Sequence, residues 1–247
     1  MGLRFIGIIP ARYASSRFPG KPLVDIAGKP MIQWVYEHVA AAGLHSVVVA
    51  TDDERIAQRV KLFNGQVAMT APSHPSGTDR CGEAASLIQL NDEDVIINIQ
   101  GDEPFISKHE ISLLTDLFQN PQVNIATLVR PITNANDINN PNKVKVVLSK
   151  SGKALYFSRH AIPFLRADGG QPASYFQHLG IYAYRYKTLK ELIALKPSTL
   201  ELSEKLEQLR WLENDYSIYA VPCDYEGIGI DTPEDLNSIS LEKLLQN

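Results

Sequence analysis

Short apolar runs alternate with helix-like patterns over the first 102 residues of the chain. In segment 31–43, Ile32, Val35, Tyr36 and Val39 recur at the spacing of one helix face. Strands are predicted at 3–9, 46–51, 66–70 and 94–102, and helices at 31–43, 52–65 and 77–90. Because strand and helix alternate, we expect a mostly parallel sheet with helices on both faces.

The pattern changes after this point. Strands are predicted at 123–132, 176–185 and 216–221, helices at 187–196 and 201–214, and a short final helix capped by Thr232 with Pro233 at its first position. Segment 142–159 has the pattern of two strands with a turn at Ser151-Gly152, which predicts an antiparallel hairpin. We therefore predict a single α/β domain, with a core of roughly 1–132 and 216–247 and an inserted antiparallel lobe of roughly 133–215.

Composition excludes several classes of function. The chain has 247 residues, 44% of them apolar, and a formal net charge of −4, which argues against nonspecific binding to nucleic acid or to an anionic membrane. No apolar run approaches the roughly 20 residues that span a bilayer, and the N-terminus reads as a strand rather than a signal peptide. Cys81 and Cys223 form no CxxC pair, so we expect neither a disulfide framework nor a zinc site, and a reducing cytoplasm fits.

The loop after the first predicted strand carries an unusual density of positive charge. Its sequence fits neither GxxxxGK[ST] nor GxGxxG, which argues against the common ATPase loop and the dehydrogenase fingerprint. Small residues allow backbone N–H groups to approach a ligand, and cations add charge-assisted hydrogen bonds. We predict a polyphosphate site, rather than a solvated basic loop, from Ala14, Ser15, Ser16 and Gly20 with the cations Arg12, Arg17 and Lys21.

Two acidic residues follow other predicted strands. Asp102 lies in QGDEP and Asp231 in GIGIDTPEDL. Either one alone is more typical of a turn or a helix start. Because ligands of parallel sheets bind at the carboxyl ends of the strands, and a triphosphate usually comes with Mg²⁺, we predict a two-carboxylate magnesium site opposite the cationic loop.

A further set of polar residues lies in the second half. Singly, a histidine on an apolar strand is more often a core residue, and a glutamate in a helix is more often on the surface. As a set they suit an acidic, hydroxyl-rich ligand, whose carboxylate would bind the arginine. The set is Arg159, His178, Tyr182, Glu207 and Gln208.

Eight motifs in order resemble one family. They are IPARYASSRFPGKPL, SGTDR, IQGDEP, NPNKVKVVL, ALYFSR, HLGIYAYR, LEQLR and GIDTPEDL, which together extend over nearly the whole chain. The chain resembles the CMP-Kdo synthetases, the 3-deoxy-manno-octulosonate cytidylyltransferases. The resemblance implies a Rossmann-like nucleotidyltransferase fold, a cytoplasmic homodimer formed partly by the hairpin 142–159, and Mg²⁺-dependent conversion of CTP and Kdo to CMP-Kdo and pyrophosphate for lipopolysaccharide.

The resemblance also implies roles for individual residues. The nucleotide would contact Ala11, Arg12, Ser16, Arg17 and Lys21 around the triphosphate, and Ser76, Thr78, Arg80 and Gln100 around the cytosine and ribose. The catalytic set would be Arg17, Lys21, Asp102 and Asp231, with the two aspartates holding Mg²⁺. The sugar would contact Arg159, His178, Tyr182, Glu207 and Gln208. We expect metal coordination to lower the pKa of the attacking sugar hydroxyl.

Several alternatives remain open at this stage. The sugar can be Kdo, 8-amino-Kdo or another acidic sugar, and its carboxylate can bind Arg159 or help position a second metal ion. A sialic acid cytidylyltransferase usually has a Lys- and Gly-rich opening loop, which makes it second choice. A non-catalytic nucleotide sensor on the same fold would bind nucleotide without releasing pyrophosphate.

Overall fold

The computed structural model describes residues 2–14, 18–166, 174–226, 229–230 and 232–238. The strands are β1 Phe5–Ala11, β2 Asp25–Ile26, β3 Lys29–Pro30, β4 Ser46–Thr51, β5 Gln66–Met69, β6 Val95–Asn98, β7 Ile125–Pro131, β8 Lys145–Leu148, β9 Ala154–Ser158, β10 Phe176–Arg185 and β11 Ile218–Pro222. The α-helices are α1 Met31–Ala41, α2 Glu54–Leu62, α3 Gly77–Ser86, α4 Lys108–Leu117, α5 Ala135–Ile138, α6 Tyr186–Ala194, α7 Thr199–Glu204 and α8 Gln208–Glu213. Short 3₁₀ turns occupy Lys21–Leu23 and Pro233–Ser238.

One mixed sheet forms the centre of the described structure. Its strand order is β11-β7-β10-β6-β1-β4-β5, with β8 paired to β10 and β9 paired to β8. Strands β6, β1, β4 and β5 are parallel, and β11 is parallel to β7, whereas β10 runs antiparallel between β6 and β7. The predicted fold class, a parallel sheet with an inserted antiparallel part, is confirmed. The residue boundaries of the lobe stay a prediction.

The core lies on both faces of this sheet because successive strand residues point to opposite sides. In β1, Ile6 and Ile8 face one apolar cluster and Ile9 faces the other. Helices α1, α2 and α4 bury their apolar faces in the Ile9 cluster, and α3, α6 and α8 do so on the opposite face. Helices therefore cover both faces, as predicted. In the described residues, no helix combines the length and apolarity that a membrane span requires.

The predicted single helix 201–214 is wrong. It is divided into α7 and α8 at Lys205, whose φ of 54° is left-handed. Arg159, the residue that follows β9, donates from Nε to the carbonyl of Glu204 at 2.7 Å. Its Nη2 donates to the carbonyl of Lys205 at 3.3 Å. These tertiary hydrogen bonds take carbonyls that a continuous helix would use internally. The break places Glu207 and Gln208 at the start of α8.

Helix α4 was not predicted, although its start carries a recognisable signal. Ser107 and Glu110 form a capping box, in which each side chain accepts a hydrogen bond from the other's backbone N–H. The chain end differs as well, because Pro233–Ser238 is a 3₁₀ turn in which Asp235 accepts from the Thr232 N–H at 2.8 Å. The rest of the predicted final helix lies outside the described residues.

We predict that Lys205→Gly stabilises the protein by about 0.5–1 kcal/mol, because glycine adopts a left-handed conformation without the steric cost of a Cβ. Urea unfolding measures the change. Gln58→Gly in the middle of α2 is the matched control, and we expect it to lower stability by about 1 kcal/mol. A decrease for Lys205→Gly would show that the side chain, and not the backbone conformation, determines stability at this position.

Candidate active site

The loops after β1 and β6 meet at the carboxyl edge of the sheet. Lys21 Nζ lies 2.5 Å from Asp102 Oδ2, with 12% and 29% of the two side chains exposed. Gly101 allows this approach, since a Cβ there would lie 2.9 Å from the carbonyl oxygen of Pro10. The structure thus brings a predicted phosphate-binding cation and a predicted metal-binding carboxylate into direct contact.

Of the other predicted residues of the cationic loop, some lie within the described residues and some lie outside them. Ala11 is the buried last residue of β1, and Arg12 next to it is exposed. Gly20, with φ of 72°, donates its N–H to the carbonyl of Tyr13 at 2.9 Å and so closes the loop just before Lys21. Ser16 and Arg17 lie outside the described residues.

The predicted partner of Asp102, Asp231, also lies outside the described residues. Its neighbour Ile230 donates its N–H to the carbonyl of Asp102 at 3.0 Å. Tyr225 donates its hydroxyl to Glu103 at 2.5 Å. Two hydrogen bonds therefore attach the segment before Asp231 to the loop that carries Asp102. Within the described ranges, no group of three or more His, Cys, Asp or Glu residues is arranged to bind a metal ion.

A second cluster joins the start of α3 to the start of α8. Ser76 Oγ lies 2.8 Å from Glu207 Oε1, and Thr78 Oγ1 donates to Glu207 Oε2 at 2.6 Å. Ser76 Oγ also lies 2.6 Å from Asp79 Oδ2, and its single proton serves one carboxylate at a time. Burial raises the pKa of Glu207, the two hydroxyls partly oppose this, and the nearby Asp79 charge adds to it.

Two further predicted nucleotide residues have different surroundings. Arg80 is 3% exposed, and its guanidinium donates to Thr70 Oγ1 at 2.6 Å and pairs with Asp52 Oδ1 at 3.0 Å. Those contacts join α3 to the ends of β4 and β5. Gln100 instead lies beside Gly77, and its amide is only loosely held, with Nε2 3.5 Å from the carbonyl of Gly180. Gln100 is therefore available to a ligand, whereas Arg80 supports the structure under the site.

A bulge in β10 arranges the predicted sugar residues on that strand. The pairing of β10 with β7 shifts between Leu179 and Tyr182. Thr127 Oγ1 lies 2.8 Å from the carbonyl of Ile181 and 3.1 Å from His178 Nε2. Burial lowers the pKa of His178 to about 3, so its imidazole is neutral at physiological pH.

An aromatic wall, formed by Phe157, His178, Tyr182, Tyr184 and Trp211, lies next to Glu207. The Tyr182 ring stacks on Tyr184 at 5.7 Å and meets Trp211 edge-on at 5.0 Å. Phe157, Tyr184 and Trp211 were missed by sequence reasoning, which singled out polar side chains only. Within the described residues, Tyr182 Oη and Gln208 Nε2 are buried and have no hydrogen-bond partner. These two atoms retain unused hydrogen-bonding capacity beside the aromatic wall.

Arg159 is held by backbone carbonyls. In addition to Glu204 and Lys205, its guanidinium donates to the carbonyl of Pro141 at 3.0 Å. No carboxylate pairs with this guanidinium in the described part of the chain. The structure therefore presents a cation whose guanidinium hydrogen bonds are accepted by backbone carbonyls, and it shows no direct contact between Arg159 and the other predicted sugar residues.

Comparison with known proteins identifies the family. The model of the family described as Cytidylyltransferase matches residues 6–218. The 3-deoxy-manno-octulosonate cytidylyltransferase of Parabacteroides distasonis is 53% identical over 95% of this chain and 96% of its own, and that of Bacteroides thetaiotaomicron is 52% identical over 99% of both. The chain belongs to the 3-deoxy-manno-octulosonate cytidylyltransferase family.

A solved structure agrees with this assignment of the cytidylyltransferase. It is a CMP:2-keto-3-deoxy-manno-octonic acid synthetase complexed with CTP, 42% identical, with a TM-score of 0.90 and 98% of both chains covered. The family resemblance and the nucleotidyltransferase fold predicted from the sequence are confirmed, and the protein is a nucleotidyltransferase. The roles of individual residues stay predictions.

We predict that Glu207→Gln stabilises the cytidylyltransferase at pH 7. Because the pKa of Glu207 is raised in the folded state, ionisation of this carboxyl lowers the free energy of unfolding. The loss is absent below the unfolded-state pKa of about 4.3 and complete once the pH exceeds the folded-state pKa. The melting temperature should rise by about 2–4 °C for each kcal/mol relieved, and the difference should vanish near pH 4.

The exposed Glu54→Gln variant is the charge-matched control, which should leave the melting temperature unchanged or slightly lower. A Glu207→Gln protein that melts below the wild type at pH 7 would contradict a costly buried carboxylate.

Proposed function

We propose that the protein transfers CMP from CTP to the anomeric hydroxyl of Kdo, releasing pyrophosphate, for lipopolysaccharide synthesis. The observation that supports this best is the contact between Lys21 and Asp102 across two strand-end loops of a cytidylyltransferase. Phosphoryl transfer between two bound substrates depends mainly on positioning and charge neutralisation, and it needs no protein nucleophile. A cation and a carboxylate at one sheet edge supply the required charges.

Lys21 changes its partner in this proposal. In the structure, its ammonium is neutralised by Asp102 at 2.5 Å. A triphosphate carries more negative charge than one carboxylate, so we expect CTP to draw Lys21 away from Asp102. Lys21 then faces the charge that develops on the phosphate oxygens, together with Arg12 and Arg17.

The residues present fit a magnesium ion. Mg²⁺ is usually held by one or two carboxylates together with water and substrate phosphates, and Asp102 with Asp231 would supply the carboxylates. Attachment of Ile230 to the Asp102 backbone supports their pairing. When bound, the ion neutralises phosphate charge and lowers the pKa of a coordinated sugar hydroxyl. Release of Lys21 leaves Asp102 free to act as its ligand.

The sugar end of the site follows from charge and hydrogen-bonding capacity. Arg159, whose guanidinium is held by backbone carbonyls, would bind the sugar carboxylate. Burial raises the pKa of Tyr182 well above its usual range, so its phenol remains a donor. The orphan amide of Gln208 and the carboxylate of Glu207 would contact hydroxyls, and neutral His178 borders them. An acidic, hydroxyl-rich sugar matches this set of partners.

The test measures pyrophosphate release with CTP, UTP, ATP or GTP, each combined with Kdo, 8-amino-Kdo or sialic acid. Every combination is measured once with Mg²⁺ and once with EDTA. We expect release with CTP and Kdo in the presence of Mg²⁺ only. Faster release with 8-amino-Kdo would reassign the sugar. CTP binding without release for any acidic sugar would favour the nucleotide sensor, and full activity in EDTA would contradict the magnesium site.

We propose that the enzyme is a homodimer formed through the lobe 133–215. Four large apolar side chains there are strongly exposed, which is costly on a monomer: Leu155 59%, Phe164 85%, Leu165 47% and Leu202 53%. A hydrogen bond of 2.6 Å between Ser158 and Glu204 places β9 and α7, which carry Leu155 and Leu202, next to each other. Strand β9 pairs with β8 only in the described sheet, and on its other edge the described residues show only an isolated bridge between Lys153 and Tyr219, just before the strand.

We predict that Phe164→Asp shifts the dimer toward the 27.4 kDa monomer in sedimentation or light scattering, since a charge at the interface opposes burial. Leu62→Asp, at an apolar residue 74% exposed on α2, is the control and should leave the mass unchanged. A wild-type protein that is monomeric at micromolar concentration would contradict the dimer.

A cytoplasmic location is part of this proposal. It is supported by Cys81 and Cys223, which are both buried free thiols, as expected in a reducing compartment. Cell fractionation that recovered the protein outside the cytoplasm would contradict it.

A further inference from the structure

Tyr13 lies in the cationic loop and is held by groups from two parts of the chain. The guanidinium carbon of Arg55, on α2, lies 3.3 Å from the centroid of the Tyr13 ring. Gly20 packs against the hydroxyl end of the ring, where a Cβ would lie 3.1–3.2 Å from Cε2, Cζ and Oη. The Gly20 N–H also donates to the Tyr13 carbonyl at 2.9 Å. The aromatic ring therefore links the loop to α2.

Arg55 is itself fixed in orientation. Asp53 accepts from its Nε at 2.9 Å and from its Nη2 at 2.7 Å, a bidentate pair that lowers the pKa of the Asp53 carboxyl. The same carboxylate caps α2 by accepting from the Arg55 N–H at 2.9 Å. Two hydrogen bonds to one carboxylate hold the guanidinium plane, and this leaves its flat face for the Tyr13 ring.

We propose that Arg55 is a positioning residue for nucleotide binding. Tyr13 and Gly20 stand at the two ends of the loop, and the cations next to them in sequence are Arg12 and Lys21. By stacking on Tyr13, which packs against Gly20, Arg55 fixes the positions of these two residues and thereby of the neighbouring cations before CTP arrives. This inference rests on the proposed use of the loop for the triphosphate. Among the described residues, the Arg55 side chain pairs with Asp53 and stacks on Tyr13, neither of which is assigned to the reaction, so Arg55 acts through Tyr13.

The size of the effect is bounded by the contact itself. The apparent affinity for CTP is proportional to the fraction of enzyme whose loop is competent to bind, so it falls when that fraction falls. A cation–π contact at an exposed site corresponds to about a two- to five-fold change in an equilibrium constant. Because the Arg55 side chain is 57% exposed, we expect a change within this range rather than above it. The affinity for CTP should change, while kcat and the KM for the sugar should not.

The experiment compares Arg55→Ala, Arg55→Lys and Tyr13→Leu with the control Arg59→Ala, which removes an equal charge from another exposed position of α2. Calorimetry without sugar gives the Kd for CTP, and pyrophosphate release gives KM and kcat. Arg55→Ala and Tyr13→Leu should each raise Kd and KM for CTP about two- to five-fold, with kcat unchanged. Arg55→Lys should recover part of the affinity, and Arg59→Ala should match the wild type.

A double variant separates positioning from independent effects. If Arg55 acts through Tyr13, then Arg55→Ala combined with Tyr13→Leu should be no weaker than either single variant. Additive losses would overturn the inference, as would an Arg55→Ala protein that has a lower melting temperature but binds CTP like Arg59→Ala. The CTP titration needs no turnover, so a wild type that binds CTP but releases no pyrophosphate would reject the proposed function and leave this test intact.

Discussion

The contact between Lys21 and Asp102 is the interaction on which this account of the site depends. It joins the loops after β1 and β6, and Gly101 beside Asp102 permits a close approach to the Pro10 carbonyl, which a Cβ would meet at 2.9 Å. Its two members carry opposite charges at the sheet edge where ligands of parallel sheets bind. Each member of the pair also balances the charge of the other, so that neither an isolated cation nor an isolated carboxylate has to be partly desolvated.

The other half of the site is organised differently. Around Glu207 the protein buries a carboxylate, a phenol and an amide beside an aromatic wall, and some of their hydrogen-bonding capacity is unused in the described structure. Buried polar groups with incomplete partners lower stability, and such groups concentrate where a ligand will complete them. We interpret this region as one that sacrifices stability for binding of a polar ligand, in contrast to the charge-balanced pair of Lys21 and Asp102.

Sequence reasoning succeeded where local patterns decide the structure. Strand β10 was predicted at its observed limits, and both core faces follow from alternation along the strands. It failed at Lys205, because the carbonyls of α7 are captured by Arg159, which is 45 to 46 residues away in sequence. The capping box at Ser107 was visible and overlooked. Likewise, no spacing rule shows that Ser76 meets Glu207, 131 residues later, or that the guanidinium of Arg80 is buried against Asp52.

The most direct test of the account is a crystal structure of the enzyme with CTP and Mg²⁺, solved alongside the ligand-free form. We predict that Lys21 Nζ is within hydrogen-bond distance of Asp102 without ligand, and that with ligand it contacts a phosphate oxygen while Asp102 faces the metal. A nucleotide bound at the loop with the contact between Lys21 and Asp102 intact would contradict the central claim.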